Sequence, residues 1–318
     1  MLSRKNKLRV MKIVSLFSVV RGYNIPIIIL AQYLSAIFIF APNKGALSIL
    51  LDYRFFIIVF ASAITIASGY IINSFYDSKK DLINRPNKSM LDRLVSQKTK
   101  LQVYFALNFI AALFALLVSW RASLFFAVYI FMIWLYSHKR KKYALIGNFI
   151  AAFLAIFPFF GILLYYYYRL PLNEIESHSN DLAVTFTHAS FLFILLLVRE
   201  MTKDLENIKG DLANGYETIP VTFGENVSKM SITTLLILTT VPVYFLINVF
   251  DVGYMDIYFY IGFIIMIFFV SRLWNSYSRE QYLLLHNILK VLIVAGVFSI
   301  VLIDPTVLWN GKKLLQTI

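Results

Sequence analysis

Residues 55–88 read FFIIVFASAITIASGYIINSFYDSKKDLINRPNK. Up to Ile72 the stretch is apolar or small and uncharged, close to the roughly 20 residues with which an α-helix crosses a bilayer core. The polar residues beyond keep the helical period. Asn73, Asp77 and Asp81 stand at i, i+4 and i+8 within an arc of roughly 80°, and Asn84 returns to that face. Two carboxylates and two amides therefore leave the membrane on one side of one helix. Carboxylates stacked in this way repel, and the sequence offers two remedies. Lys79, Lys80, Arg85 and Lys88 are interleaved among them, and the oxygens suit a hard divalent cation. Mg²⁺ takes only one or two carboxylates and completes its shell with water and phosphate oxygens. A diphosphate site is the expectation.

The rest of the chain sets the context. Of 318 residues, 59% are hydrophobic, 17% aromatic and 15% charged, and the mean hydropathy is +0.72. Soluble domains are roughly 45–50% apolar and 25% charged, so an all-α integral membrane protein is expected. The absence of cysteine excludes disulfides and thiolate metal sites. The net charge of +13 fits Lys and Arg facing anionic lipid and cytoplasm, and no nucleic-acid partner is inferred. Residues 1–15 hold Arg4, Lys5, Lys7, Arg9 and Lys12 with no acid and no cleavage signal after them. They read as a retained basic tail on the cytoplasmic side.

Apolar spans recur near 16–40, 54–76, 101–119, 122–137, 144–168, 183–203, 229–250, 254–272 and 286–303, predicting about nine transmembrane helices bundled around a central cavity. Basic residues concentrate in the tail and in every second loop, for example Lys79 to Lys100 and Lys139 to Lys142, while the alternate loops hold few. The positive-inside rule then places the N-terminus and both acidic motifs in the cytoplasm, with the C-terminus opposite. No Pro/Gly/Ser-rich linker divides residues 1–318, so a single domain is expected.

The second motif leaves the sixth span. Glu200, Asp204, Asn207 and Asp211 recur at i, i+4, i+7 and i+11, within an arc of roughly 60°, whereas Glu206 points elsewhere. Charged helix ends can simply be solvated, but ionisable residues where a membrane helix meets the interface are costly enough to suggest function. Two stripes of matching spacing on one side strengthen that reading. Asn24 precedes Pro26 in an apolar stretch, where an amide can satisfy a freed carbonyl, and Arg21 can snorkel to the interface. The tract Tyr165 to Tyr168 is expected in an interfacial aromatic belt. His138, His178, His188 and His286 lack ligand spacing.

These motifs resemble those of the UbiA superfamily of intramembrane prenyltransferases, marked by Asn-x-x-x-Asp-x-x-x-Asp and a second Asp-x-x-x-Asp. The first is matched by Asn73, Asp77 and Asp81. Counting back from Gly215, the second falls on Asn207 and Asp211, so Asn207 is a departure, and Asp204 one turn earlier stands ready to supply the charge. Ile83-Asn84-Arg85-Pro86, Arg199-Glu200, Lys203-Asp204, Tyr136-Ser137 and Gly147-Asn148 resemble the digeranylgeranylglyceryl phosphate synthase-like branch. Ser74, where an acid is usual, and Lys88-Ser89, where Arg-Pro is common, depart from it.

The resemblance implies Mg²⁺-dependent transfer of a prenyl group from its diphosphate to a lipophilic acceptor, most closely a glycerol-phosphate lipid. It implies Asp77, Asp81, Asp204 and Asp211 as catalytic metal ligands, assisted by Asn73 and Asn207. Asn24, Asn73, Arg85, Lys88, Lys139, Lys142 and Lys203 are the corresponding diphosphate contacts. Membrane lipid surrounds such a protein, no obligate protein partner is indicated, and the plasma membrane with a cytoplasm-facing site is the expected location. Transfer to an aromatic ring in quinone synthesis, or to haem, is the alternative acceptor chemistry. A cation-coupled secondary transporter is the alternative class, but its carboxylates belong near the bilayer midplane on interrupted helices. Here they cluster at helix ends.

Overall fold

The computed structural model describes residues 4–41, 44–168 and 179–305. Arg169, His178, Lys312 and Lys313 lie outside the described residues. The elements are α1 (Arg4–Val19), α2 (Ile25–Ser35, continued by a π turn over Ala36–Phe40), α3 (Ala46–Leu50), α4 (Tyr53–Tyr76), α5 (Lys80–Asn84), α6 (Pro86–Asp92), α7 (Gln97–Val118), α8 (Trp120–His138) and α9 (Ile146–Tyr167). They continue as α10 (Ser179–Ala213), α11 (Ile219–Phe223), α12 (Glu225–Leu238), α13 (Thr240–Asn248), α14 (Asp256–Trp274) and α15 (Arg279–Ser299). Among the described residues the one β contact is an isolated parallel bridge between Tyr143 and Glu217.

Among the described residues, eight helical stretches are long and apolar enough to cross a membrane, beginning with Tyr53–Tyr76 and ending with Arg279–Ile303. The expected first span, 16–40, is not one helix. Arg21 takes a left-handed φ of 49°, Asn24 N–H closes a turn on the Arg21 carbonyl at 2.8 Å, and Pro26 sits in the first turn of α2, where its missing N–H is harmless. What remains, Ile25–Phe40, is shorter than the other spans. The seventh span also breaks, between α12 and α13 at Thr239, close to Pro242.

Burial orders the bundle. In α4 61% of the apolar window is buried against 22% in α7 and in α8, which makes α4 central and leaves the other two facing lipid. The sequence of α4 permits this because Ala61, Ser62, Ala63, Thr65, Ala67 and Ser68 are small and buried, letting neighbouring backbones approach. Interhelical hydrogen bonds join it to α2 (Gln32 Nε2 to Ser62 Oγ, 2.7 Å) and to α7 (Ser68 Oγ to Asn108 Oδ1, 2.5 Å). Asp52 caps its N-terminus, accepting from the N–H groups of Arg54 at 3.0 Å and Phe55 at 3.2 Å.

The expected aromatic belt is only partly one. Tyr165 and Tyr166 turn inward, 9% and 7% exposed, and pack on Phe55, whereas Tyr168 is exposed. Period decides this: four consecutive helical residues span nearly a full turn, so they cannot all face lipid.

The helix carrying the second motif is longer than expected. α10 has 35 residues, about 50 Å at 1.5 Å per residue, against a hydrocarbon core of about 30 Å. Its final turns therefore stand beyond the apolar slab, at the end of the bundle where α5 and α6 fold back.

Candidate active site

The first motif is built by the end of α4 and the short helix after it. α4 stops at Tyr76, but Asp77 N–H still bonds Asn73 O (2.9 Å), Asp81 N–H bonds Asp77 O (2.8 Å) and Arg85 N–H bonds Asp81 O (2.7 Å). The i to i−4 pattern survives the turn, so the expected face persists until Pro86 opens α6. α5 packs against α10 at Gly210. The Gly210 N–H donates to Asn84 Oδ1 at 3.1 Å, and a Cβ at Gly210 would lie 2.3 Å from that oxygen. Only glycine lets the two motif-bearing helices meet so closely.

Between them lies a polar cavity of about 820 Å³ of non-atom space, including its open mouth. From the first motif Asn73, Asp77, Asp81, Arg85 and Lys88 line it, and from the second Glu200, Lys203, Asp204 and Asn207. The structure thus brings most of the sequence-derived site residues together. Asp211 is fully buried beside the cavity and pairs with Lys80 at 2.6 Å. Asn24 stands behind the wall, donating to the Tyr70 hydroxyl at 3.5 Å. Lys139 and Lys142 are exposed and do not line the cavity, contrary to expectation. The 3₁₀ turn Arg140–Lys142 sends Lys141 inward instead.

Lys141 is one of four residues that the motif reading left unassigned. Its Nζ lies 2.7 Å from Asp77 Oδ1 and 3.1 Å from Asn73 Oδ1. Tyr216 donates its hydroxyl to Asp77 Oδ1 at 3.0 Å, and its ring lies 4.3 Å from Lys80 Nζ. Lys80 is the third, and Asn148 the fourth, donating from Nδ2 to Asp204 Oδ2 at 2.6 Å. Nothing in the run Lys139 to Lys142 marks the third residue as the inward one, and Tyr216 is aimed by the turn at Gly215, whose φ is +65°. Asn148 had its one signal in the Gly147-Asn148 pair.

The two carboxylates of the first motif are held differently. Burial pushes Asp77 upward, but Lys141, Lys80 and the Tyr216 hydroxyl outweigh it, and the group stays below the usual carboxylate value. Asp81 is raised, by burial first and then by the charge of Asp77. Burial draws Lys141 below its ordinary value despite Asp77, whereas Asp77 and Asp211 keep Lys80 above its own against burial. Arg21 also lines the cavity, its guanidinium 5.0 Å from the Tyr70 ring centroid.

The donor set is hard and oxygen-rich. Among the described residues no three carboxylate or histidine side chains converge as a ready-made metal cage. A cation that takes one or two carboxylates and draws the rest of its shell from phosphate and water fits such a divided set. Asn207 suits this as well: its Nδ2 is spent on the Lys203 carbonyl at 2.7 Å, which turns the oxygen to the other side of the amide.

Fold and cavity together define a helical membrane protein with an oxygen-donor, cation-rimmed site at one end of the bundle. The chain belongs to the UbiA prenyltransferase family, whose model matches residues 29–308. Among curated relatives, the digeranylgeranylglyceryl phosphate synthase of Methanobrevibacter smithii is 28% identical over 198 residues, covering 59% of this chain and 66% of the relative. That of Thermococcus sibiricus is 31% identical over 166 residues, covering 52% and 54%. The chain thus spans just under two thirds of the first and about half of the second, whereas it spans 87% of the Methanosphaera stadtmanae synthase at 26% identity. A solved digeranylgeranylglyceryl phosphate synthase has a TM-score of 0.66 at 19% identity, covering 92% of this chain and 99% of that one. A UbiA homologue from Archaeoglobus fulgidus, bound to GPP and Mg²⁺, has a TM-score of 0.61 at 16% identity, covering 90% and 99%.

Proposed function

We propose that this protein is a Mg²⁺-dependent prenyltransferase moving a geranylgeranyl group from its diphosphate to the hydroxyl of a glycerol-phosphate lipid. The observation that carries the reading is the convergence of both oxygen-donor motifs, with Lys80 and Lys141, on one cavity at the end of a membrane bundle. The relatives' names supply the acceptor class.

Asp77 and Asp81 with Asn73 on one wall, and Asp204 with Asn207 on the other, are the residues that would hold Mg²⁺. When bound, the metal neutralises diphosphate oxygens so that the allylic C–O bond can break. Lys141 and Lys80 already balance Asp77 and Asp211, and they bring positive charge to the place where the leaving diphosphate gains negative charge. Asn148 fixes the Asp204 carboxylate from behind. Tyr70, Tyr136 and Tyr216 present rings to the cavity, suited to shielding an allylic cation from water. Asp211, sealed from the cavity, acts through Lys80. The basic loops at this end support a site on the cytoplasmic face, with the plasma membrane as the proposed host. No protein partner is needed for this chemistry.

The test is product analysis by mass spectrometry. Purified protein with Mg²⁺ and geranylgeranyl diphosphate is offered geranylgeranylglyceryl phosphate, 4-hydroxybenzoate, a naphthoate or haem. Prenylation of the first alone, abolished by EDTA, is the expected result. Prenylation of an aromatic acceptor or of haem in its place would reassign the acceptor.

A further inference from the structure

One buried carboxylate beside the cavity is not used by the chemistry above. Glu206 follows the second motif's helix but lies roughly 100° around it from Asn207, so it faces α15 rather than the opposing acids. Its side chain is fully buried. One oxygen accepts from His286 Nδ1 at 2.8 Å, the other from Arg85 Nη2 at 3.2 Å, with Arg279 Nη2 3.9 Å away. His286 is itself 2% exposed. A carboxylate only accepts, so Nδ1 carries the proton, and the ring's Nε2 is buried with no hydrogen-bond partner among the described residues. A charge placed there is costly unless its partners are fixed. Three elements are tied at this point: α10 through Glu206, α15 through His286, and the Arg85 junction between α5 and α6.

What the arrangement fixes is Arg85. Its side chain is 26% exposed, and the residue lines the catalytic cavity. Lys203, which also lines the cavity, has its own Nζ held by Glu200 at 2.6 Å. Lys80 and Lys141 serve the carboxylates where the diphosphate is proposed to sit. Arg85, Lys88 and Arg21 line the same cavity as a second cation set, in which Arg85 pairs with Glu206 and Lys88 with Asp92 and not with the acids of either motif. A transfer between two phosphorylated lipids presents two anions to one cavity, and they repel unless separate cations hold them apart. A guanidinium held on one side by a carboxylate leaves its other N–H groups in a planar fork that matches a phosphate.

The geometry points to Glu206, locked by His286, as a positioning residue that aims Arg85 at the phosphate monoester of the acceptor, in place of the diphosphate contact that the sequence resemblance implies for Arg85. This rests on the glycerol-phosphate reading above. In nanodiscs with Mg²⁺, Glu206→Gln and Arg85→Gln are expected to raise KM for geranylgeranylglyceryl phosphate about 10-fold or more. KM for geranylgeranyl diphosphate should stay within about twofold. Arg85→Lys, which keeps the charge and loses the fork, should fall between wild type and Arg85→Gln. Parallel rises in both KM values, or no change in either, overturn the assignment. Should Glu206→Gln fail to fold, His286→Gln frees the other oxygen and carries the same expectation at smaller size.

Binding of geranylgeranylglyceryl phosphate in EDTA, read by calorimetry, isolates the monoester from the metal site. Arg85→Gln should weaken it about 10-fold, and unchanged affinity would sink the proposal. Wild-type turnover of the phosphate acceptor with an unaltered acceptor KM in Glu206→Gln removes this inference and leaves the proposed function standing. Arg85-dependent binding in a protein that prenylates no phosphate-bearing acceptor does the reverse.

Discussion

Asp77 and Asp81 are one helical turn apart, yet Lys141, Lys80 and Tyr216 hold the first down while burial and its neighbour lift the second. Individual side chains on other elements, and not the motif, set the charge state of the site. Replacing Asp77 or Asp81 by Ala is expected to reduce turnover by about 10² or more, since each removal costs charge stabilisation at the leaving diphosphate. Asp204→Ala should first raise the Mg²⁺ concentration giving half-maximal rate, and an unchanged Mg²⁺ requirement would dismiss Asp204 as a ligand. The basic loop offers a contrast within three residues. Lys141→Gln, which removes the ion pair of the partly buried Asp77, should cut turnover by about tenfold or more, whereas the exposed Lys139→Gln should stay within about twofold of wild type. Steady-state rates at saturating Mg²⁺ decide between them.

At the scale of elements, the site depends on how α5 meets the overhanging end of α10. Asn84 accepts from Gly210 N–H and is itself only 3% exposed, so neither side has room to give. Gly210→Ala is expected to cost about 1–3 kcal/mol of stability through overpacking. It should also lower activity more than it lowers the amount of folded protein, because it separates the two motifs; a thermal melt beside a rate measurement checks both. That contact was illegible in sequence. A glycine three residues after Asn207 reads as ordinary helix, and its role exists only once another helix is laid against it. The two stripes themselves were legible, because i, i+4 spacing is a local geometric consequence of the α-helix. The break at Arg21 was less so: Arg21, Gly22, Asn24 and Pro26 interrupt the apolar run, but its average over 16–40 stays apolar, and the left-handed φ shows where the helix parts.

At the scale of the whole molecule, all loops adjoining the site fall at one end of the bundle, and the chain has no cysteine to complicate labelling. Single cysteines at the exposed Asn87 and Tyr277 should react with an impermeant maleimide from the cytoplasmic side, and those at the exposed Leu51 and Val249 from the other. Reaction of all four from one side would reject the topology. The sequence by itself determined a helical membrane protein, the approximate spans, and two acidic stripes on helix ends, since hydropathy and helical period are properties of contiguous residues. Only the tertiary structure decided which cations serve them. Lys80, Lys141, Tyr216 and the Glu206–His286–Arg85 contact join residues from 64 to 139 positions apart along the chain. Such pairings are set by helix packing, which brings separate helix ends to one cavity and leaves no local trace in the residues that meet there.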